Sequence, residues 1–365
     1  MTRLHDLFSE QGQSPWLDNL RRDWIHSGEL AAWVDRGVRG LTSNPTIFQR
    51  AIGGSAAYDE ELAALVDSGA SIDECYWGLV TTDIKDALAI LTPMHESSGG
   101  EDGYVSVEVS PLLAHDGATT LQAARELDSA IGAPNLYIKI PGTAAGLDAI
   151  RQATAEGISV NVTLLFSLAR YDQVIDAYLD GLEAAEGDLS RISSVASFFI
   201  SRVDSAVDKR LEEIGTPEAL ALRGRVAVAN GRAAYTLARE RFSGDRWDAL
   251  VARGARMQRP LWASTSTKNP DFPDTKYIDE LIGPDSVNTI PDKTLTAFEE
   301  RGTVARTLDT DPAEAAETLA QAAAVGVDLE AIAADLEAAG VASFAASFDD
   351  LMATLRQRVD SMKSA

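Results

Sequence analysis

Short β-rich runs that alternate with long helical segments are the feature of this sequence that most restricts its fold. The helical segments are rich in Ala, Leu, Glu and Arg, and their apolar residues recur with the period of an α-helix. Seven β-rich runs lie at residues 40–44, 104–110, 136–140, 158–164, 194–199, 261–265 and 286–290. Strands that alternate with helices in this way predict βα units joined into a parallel sheet.

The two faces of these runs indicate whether the sheet is open or closed. Val105, Val107 and Val109 share one face of their run, whereas Ser106 and Glu108 share the other. A doubly wound open sheet is covered on both faces, and its strands are almost continuously apolar. In a closed barrel the apolar face meets the surrounding helices and the polar face points into the lumen. We therefore predict an α/β fold: a (β/α)8 TIM barrel with additional N- and C-terminal helices.

The eighth strand and the domain organisation follow from the same pattern. Residues 15–18 are the best candidate for the missing strand, and no linker rich in Pro, Ser or Gly divides the 365 residues. We predict that residues 1–365 form a single barrel domain, with residues 303–365 as a C-terminal helical extension packed on it. The extension is either a surface appendage with a solvated acidic face or a terminal helix that leans over the barrel mouth.

The charge balance restricts the partners of the chain. The sequence has 32 basic and 56 acidic residues, a formal net charge of −24. A chain this acidic repels nucleic acid and anionic lipid, so we expect neither nucleic acid nor a membrane as a partner. An anionic substrate requires a local positive pocket.

The cysteine and histidine content argues against disulfides and metal. Cys75 is the only cysteine, and the four histidines are scattered without the spacing of a zinc motif. The N-terminal residues carry acid with no apolar run behind them, and no stretch of about 18 uncharged apolar residues occurs. We predict a cytoplasmic protein without a metal ion.

Lys139 is the strongest candidate for chemistry because it lies in the middle of an apolar strand. On an edge strand its amine would simply remain in water and discourage aggregation. In a barrel lumen the amine is buried, and burial disfavours the charged form. A partly neutral amine is a nucleophile toward carbonyls and can form a Schiff base. Pro141 and Gly142 follow at once, so Lys139 lies near the C-terminal rim where barrel active sites form.

Other polar residues are expected to face the same lumen. Glu108 is either a structural ion-pair partner of Lys139 or an acid/base group that moves protons during imine formation, since an unpaired buried carboxylate is costly. Five neutral hydrogen-bonding residues at strand ends indicate a polyhydroxylated ligand. These residues are Asn44, Asn161, Thr163, Ser197 and Ser264.

A phosphate group is the anion that the remaining candidates would suit. Arg202 follows the run at 194–199, Lys268 follows the run at 261–265, and Ser264 or Ser266 lies beside Lys268. Arginine and lysine bind phosphate through charge-assisted hydrogen bonds. No glycine-rich run follows a strand with the spacing of a dinucleotide site or a P-loop.

Four segments of the chain resemble the transaldolase family. They are GLTSNPTIF at 40–48, SVEVSP at 106–111, YIKIPGT at 137–143 and GISVNVTLLFS at 157–167. The resemblance covers about residues 17–355 and is closest to the longer bacterial members. It implies a class I aldolase-type barrel without a cofactor. It also implies the transfer of dihydroxyacetone from sedoheptulose 7-phosphate or fructose 6-phosphate to glyceraldehyde 3-phosphate or erythrose 4-phosphate, in the pentose phosphate pathway.

The resemblance also implies roles for individual residues. Lys139 corresponds to the Schiff-base lysine, Asp18 to the base that takes the C4 hydroxyl proton, and Glu108 with Thr163 to the pair that positions a catalytic water. Four further residues correspond to substrate ligands. Of these, Asn44 and Asn161 would bind the dihydroxyacetone portion, Ser197 and Arg202 would bind hydroxyl and phosphate, and Phe199 lies beside them. The phosphate segment departs from the commoner form, since many members have serine and arginine two residues apart whereas this run reads STSTK at 264–268. We assign phosphate to Arg202, Ser264 and Lys268.

Two alternative functions remain open at this point. One is a true aldolase of the fructose 6-phosphate aldolase type, which shares the barrel and the lysine but whose members are much shorter. The other is an inactive barrel that serves as an interaction scaffold. Asp18, Glu108, Lys139 and Thr163 occur together, which argues against the scaffold. We expect sugar phosphates as substrates and a monomer or homodimer.

Overall fold

Eight parallel strands close into a barrel in the computed structural model, which describes residues 1–363 of the chain. Each strand pairs with the next along the chain, and the last pairs with the first. The strands are β1 (Gln13–Leu17), β2 (Gly40–Thr42), β3 (Tyr104–Glu108), β4 (Leu136–Pro141), β5 (Val160–Leu165), β6 (Ser194–Phe199), β7 (Arg259–Ala263) and β8 (Ser286–Ile290). The predicted (β/α)8 barrel is confirmed.

Helices surround the barrel and extend it at both ends of the chain. Between the strands they run as α2 (Arg22–Ser27), α3 (Glu29–Asp35), α4 (Pro45–Gly54), α5 (Asp59–Asp67), α6 (Ile72–Ser97), α7 (Gly117–Ile131), α8 (Gly146–Ala155), α9 (Leu168–Ala184), α10 (Ser201–Ile214), α11 (Pro217–Leu220), α12 (Val226–Arg241), α13 (Asp245–Val251) and α14 (Lys276–Asp279). Before β1 lies α1 (Arg3–Gln11), and after β8 come α15 (Asp292–Arg301), α16 (Pro312–Ala324) and α17 (Leu329–Lys363). Two short 3₁₀ turns lie at Ala56–Tyr58 and Pro111–Leu113.

The strand ends differ from the sequence prediction by a few residues, each for a local reason. The candidate eighth strand is β1, which ends one residue before Asp18. The run at 40–44 becomes β2 and stops at Thr42, because Asn44 caps α4 by accepting a hydrogen bond from the backbone amide of Ile47. The seventh strand begins at Arg259 and ends at Ala263, and Ser264 then adopts a left-handed conformation with φ of 56°.

Large side chains fill the lower half of the lumen. The rings of Tyr104 and Tyr137 stack with centroids 4.1 Å apart, and Trp16 lies 6.0 Å from Tyr137. Trp16 covers Gly40 so closely that a Cβ there would lie 2.5 Å from the indole. Asp102 accepts from Ser14 and pairs with two arginines at this end of the barrel. These side chains occupy the amino end of the lumen.

The last helix, α17, packs against the barrel on its carboxyl side. It contacts α4, α6, α10 and β5, and its buried residues include Phe344, Phe348 and Leu351. By length and composition alone, α17 would also suffice to cross a membrane. In this fold its aromatic residues are instead directed at the barrel. The sequence left open whether this segment is an appendage or leans over the mouth, and the contacts correspond to the second possibility.

Candidate active site

A cavity of about 460 Å³ opens at the carboxyl ends of the strands. It lies where barrel enzymes place their active sites. Nine of the eleven residues singled out in the sequence line it: Asp18, Asn44, Lys139, Thr163, Ser197, Phe199, Arg202, Ser264 and Lys268. The other two, Glu108 and Asn161, are buried close beneath it. The fold thus brings together residues that the chain spreads from position 18 to position 268.

Lys139 projects into the lumen from the middle of β4. Its side chain is buried, with 6% exposed, and its Nζ donates a hydrogen bond to the Ser43 carbonyl oxygen at 3.2 Å. The Glu108 carboxylate lies 3.2 Å from the same nitrogen. This contact follows from the sheet register, because Glu108 of β3 stands directly opposite Lys139 of β4. The amine is therefore in the lumen, as the alternation of the strand predicts, and it retains one face toward the cavity.

The Glu108 carboxyl group is a buried acid beside this amine. Burial raises its pKa, and the nearby Lys139 and Arg202 only partly offset that rise. A carboxyl group with a raised pKa releases and accepts protons closer to neutral pH than an ordinary one. Glu108 can therefore exchange a proton with groups that react at Lys139. The ion pair and the acid/base role are both compatible with this arrangement.

Asp18 lies at the end of β1, across the cavity from β4. Its side chain accepts a hydrogen bond from the Thr42 hydroxyl at 2.9 Å. Burial raises the pKa of Asp18, whereas Lys139, the Thr42 hydroxyl, Arg202 and Lys268 oppose the rise. Asp18 is thus a carboxylate whose basicity is increased by its surroundings, in the same cavity as the amine.

Thr163 and Asn161 of β5 occupy different levels of the lumen. The Thr163 hydroxyl lines the cavity and is buried without a hydrogen-bond partner among residues 1–363. Asn161 lies lower, fully buried, and its amide donates to Ser106 Oγ and accepts from the Ser197 hydroxyl. Thr163 can accept a ligand directly, whereas Asn161 acts from below by fixing Ser197, which does line the cavity.

Four cationic side chains stand at the cavity mouth in a chain whose net charge is −24. Arg202 and Lys268 were predicted from the sequence, and Arg21 and Arg50 were not. Burial lowers the pKa of Lys268, and the charges of Arg202 and Arg50 act in the same direction. Mutual repulsion among these groups is relieved by an anion, so the mouth is suited to a phosphate.

Two of the three non-glycine residues with a positive φ among residues 1–363 lie at this end of the barrel. Leu164 near the end of β5 and Ser264 just after β7 have positive φ values of 61° and 56°. Such conformations cost about 1–3 kcal/mol each for non-glycine residues and persist where the surrounding structure holds them. The Ser264 hydroxyl lies 2.8 Å from that of Ser201, the first residue of α10. The turn after β7 is therefore tied to the helix that carries Arg202.

Helices and loops supply cavity residues that the sequence reasoning missed, among them Arg50, Arg21 and Phe344. Arg50 lies on the face of α4 that also presents Thr46 and Ile47, four and three residues before it, but it is six residues from Asn44 and therefore off the helical spacing of that residue. Arg21 belongs to the loop after Asp18. Phe344 comes from α17 and had no local signal.

Comparison with known proteins gives one consistent result. The model of the family described as Transaldolase/Fructose-6-phosphate aldolase matches residues 15–355. A protein named Transaldolase from Parafrankia sp. (strain EAN1pec) is 49% identical over 366 residues, covering 99% of each chain. Transaldolase 1 of Streptomyces coelicolor is 48% identical, covering 97% of this chain and 94% of its own. A Transaldolase of Mycobacterium ulcerans is also 48% identical, covering 97% and 96%.

Proposed function

Because this chain belongs to the Transaldolase/Fructose-6-phosphate aldolase family, we propose that it is a transferase that moves a dihydroxyacetone unit between sugar phosphates. The donor is a ketose phosphate, sedoheptulose 7-phosphate or fructose 6-phosphate, and the acceptor is glyceraldehyde 3-phosphate or erythrose 4-phosphate. The observation that carries the proposal is the buried Lys139 amine, 3.2 Å from the Glu108 carboxylate, at the floor of a cavity with a cationic mouth.

The first step uses the amine and the two groups beside it. Once its proton has passed to Glu108, 3.2 Å away, the Lys139 amine adds to the C2 carbonyl of the ketose, and loss of water gives an iminium ion. Protons must reach the departing oxygen and leave the nitrogen during this step. In this proposal Glu108 exchanges them, which its 3.2 Å distance from the amine supports, and the Thr163 hydroxyl, unpaired among residues 1–363, holds the water involved.

The second step is cleavage of the bond between C3 and C4. The iminium ion withdraws electrons from that bond, while Asp18 takes the proton of the C4 hydroxyl. The raised pKa of Asp18 suits a general base that works near neutral pH. The aldose phosphate departs, and a three-carbon enamine remains on Lys139.

The enamine must persist until an acceptor arrives. Asn44 and Ser197 line the cavity on either side and can hold the hydroxyl groups of the three-carbon unit, with Asn161 supporting Ser197 from below. The phosphate of donor or acceptor binds Arg202, Lys268 and Ser264, with Arg50 as a further cation. Phe199 lies beside Arg202, with the guanidinium carbon 5.1 Å from its ring centre.

Borohydride trapping tests the proposal directly. The protein is incubated with fructose 6-phosphate and sodium borohydride, and the modified residue is located by peptide mass spectrometry. We expect a reduced three-carbon adduct on Lys139 and on none of the other six lysines. Lys139→Ala should form no adduct and catalyse no exchange. An adduct on a different lysine, or exchange by Lys139→Ala, would overturn the assignment.

Dependence on an acceptor separates the proposal from its alternatives. A transferase forms sedoheptulose 7-phosphate from fructose 6-phosphate and erythrose 4-phosphate, whereas an aldolase of the fructose 6-phosphate type releases dihydroxyacetone without an acceptor. An inactive scaffold gives neither product and no adduct. A role in the pentose phosphate pathway, a cytoplasmic location and a monomeric or dimeric state stay predictions of this proposal.

A further inference from the structure

An aromatic ring from the C-terminal helix lies inside the cavity. Phe344 of α17 is buried, and its ring centre is 5.9 Å from Lys139 Nζ and 5.6 Å from the guanidinium carbon of Arg202. It therefore stands between the amine and the cation proposed to bind phosphate. The family motifs quoted from the sequence all lie in the barrel, so nothing in them assigns a role to this helix.

Arg202 is held by aromatic rings rather than by hydrogen bonds. Phe199 and Phe344 lie 5.1 and 5.6 Å from its guanidinium carbon. Its side chain forms no hydrogen bond or ion pair with any of the residues from 1 to 363. Cation–π contacts can fix a guanidinium group while leaving its N–H donors available to a ligand. Removing the Phe344 ring would leave only Phe199 in cation–π contact with Arg202 among residues 1–363 and so weaken the hold on its guanidinium group.

The helix is fixed tightly enough for Phe344 to act as a rigid wall. A Cβ at Gly340, one turn before Phe344, would lie 2.9 Å from Leu164 Cδ2 and 3.4 Å from Arg202 Nη1. Ser347 and Thr46 of α4 share a hydroxyl hydrogen bond of 2.8 Å. The helix thus contacts both the end of β5 and the helix that follows β2, on two sides of the cavity.

The position of Phe344 matters for what happens to the enamine intermediate. The enamine on Lys139 has two fates. Its C3 can attack the carbonyl carbon of an aldose, which gives transfer. Alternatively, C3 takes a proton, water adds to C2 of the resulting iminium ion, and the C–N bond breaks to release dihydroxyacetone and the free amine. Excluding water suppresses the second fate, and a well-placed phosphate cation favours the first.

We propose that Phe344 is a positioning residue that shields the enamine from water and holds Arg202, and so sets the ratio of transfer to release. This inference rests on the proposed transferase function. It gives the C-terminal helix a part in favouring transfer over release in this barrel.

The test measures both fates in one mixture of fructose 6-phosphate and erythrose 4-phosphate. For Phe344→Ala and Phe344→Leu, we expect the ratio of free dihydroxyacetone to sedoheptulose 7-phosphate to rise several-fold, more for alanine than for leucine. The KM for fructose 6-phosphate should rise in the same order, while the KM for unphosphorylated fructose stays unchanged. A purely structural role would lower both activities together and leave the ratio as it is.

Phe348→Leu is the matched control. Phe348 lies one turn further along α17, is equally buried, and packs edge-on against Tyr76 of α6 with ring centres 5.2 Å apart. For Phe348→Leu, the ratio of free dihydroxyacetone to sedoheptulose 7-phosphate should equal that of the unmodified protein. If Phe344→Ala does not fold, Phe344→Leu provides the measurement. A folded Phe344→Leu variant with an unchanged ratio and unchanged KM overturns the inference alone, whereas absence of both transfer and adduct in the unmodified protein overturns the proposed function.

Discussion

Replacing Lys139 with Met tests the physical state of the buried pair at the centre of the site. Lys139 Nζ and the Glu108 carboxylate are 3.2 Å apart, with side-chain exposures of only 6% and 2%. At an effective dielectric constant of about 20, two unit charges at that distance attract by about 5 kcal/mol. Removing one partner leaves the other buried and uncompensated, which typically costs about 3–5 kcal/mol. We expect Lys139→Met to lose that much free energy of unfolding near pH 8.

The stability lost in Lys139→Met should be smaller in acid than near pH 8. The direction of this pH dependence follows from proton binding to Glu108. Burial already holds the pKa of Glu108 above its ordinary value of 4.5, and Lys139 opposes that rise. Without the lysine the folded-state pKa rises further, so the folded protein binds more protons than the unfolded chain between the two values. The free energy of unfolding therefore falls as pH rises through that interval. A protonated Glu108 is neutral and needs no cation.

The double variant Lys139→Met/Glu108→Gln completes the cycle. It carries no charge at the site, so it should recover most of the lost stability and lose the added pH dependence. Urea unfolding followed by tryptophan fluorescence, at about pH 5 and about pH 8, gives the midpoints and slopes needed. Two results together would refute an ion pair in a low-dielectric lumen. Lys139→Met would lose under about 1 kcal/mol at both pH values, and the stability changes of the two single variants would sum to that of the double variant.

Three further predictions concern the lumen, the mouth and a buried acid behind it. Gly40→Ala places a Cβ 2.5 Å from the Trp16 indole, so thermal denaturation should register a loss of about 1–3 kcal/mol. Arg50→Ala removes a cation from the exposed mouth, and steady-state kinetics should give about a tenfold higher KM for erythrose 4-phosphate, with unphosphorylated aldehydes unaffected. Burial raises the pKa of Asp204 to about 6, and Tyr277 donates a 2.5 Å hydrogen bond to it. Because the folded protein then loses stability as pH rises from 3.8 through about 6, Asp204→Asn should gain stability over the unmodified protein in urea at about pH 8 but not at about pH 4.

Each of these predictions has a control elsewhere in the chain. Gly54→Ala meets no atom within 4 Å and should leave stability unchanged or slightly higher. Arg210→Ala removes an exposed cation of α10 outside the cavity, and Asp67→Asn removes an exposed carboxylate of α5. Equal losses for Gly40→Ala and Gly54→Ala would contradict the close packing at Trp16. An equal change in KM for Arg50→Ala and Arg210→Ala would contradict the role given to the mouth. An equal change in stability at about pH 8 for Asp204→Asn and Asp67→Asn would contradict the role given to the buried acid.

The barrel and the reactive amine could be predicted from the sequence because both depend on local periodicity. Side chains alternate between the two faces of a strand, so the positions of Val105, Val107 and Glu108 already indicate which face is polar. The same rule places Lys139 in the lumen, and the Pro-Gly step after it places the amine near the rim. The first strand was the weakest prediction since only five residues, one of them Pro15, carry the pattern.

The level of each polar group within the lumen could not be read from the chain. Asn161 and Thr163 share a face of β5, yet one is bound to Ser106 and Ser197 beneath the cavity and the other opens into it. Their depth depends on the stagger between neighbouring strands, which closure of the barrel imposes. Likewise Glu108 meets Lys139 because the register of β3 against β4 sets them opposite each other.

The sequence by itself thus determined strands with one apolar and one polar face, because side chains on the same face recur every two residues. That pattern was enough to predict a barrel and a lysine directed at its centre. Only the tertiary structure decided which helices close the mouth. Phe344 and Arg50 reach the cavity from α17 and α4, and no spacing relates either of them to Lys139. Their positions follow from how helices pack across the end of a closed barrel, and that packing joins segments far apart in the chain.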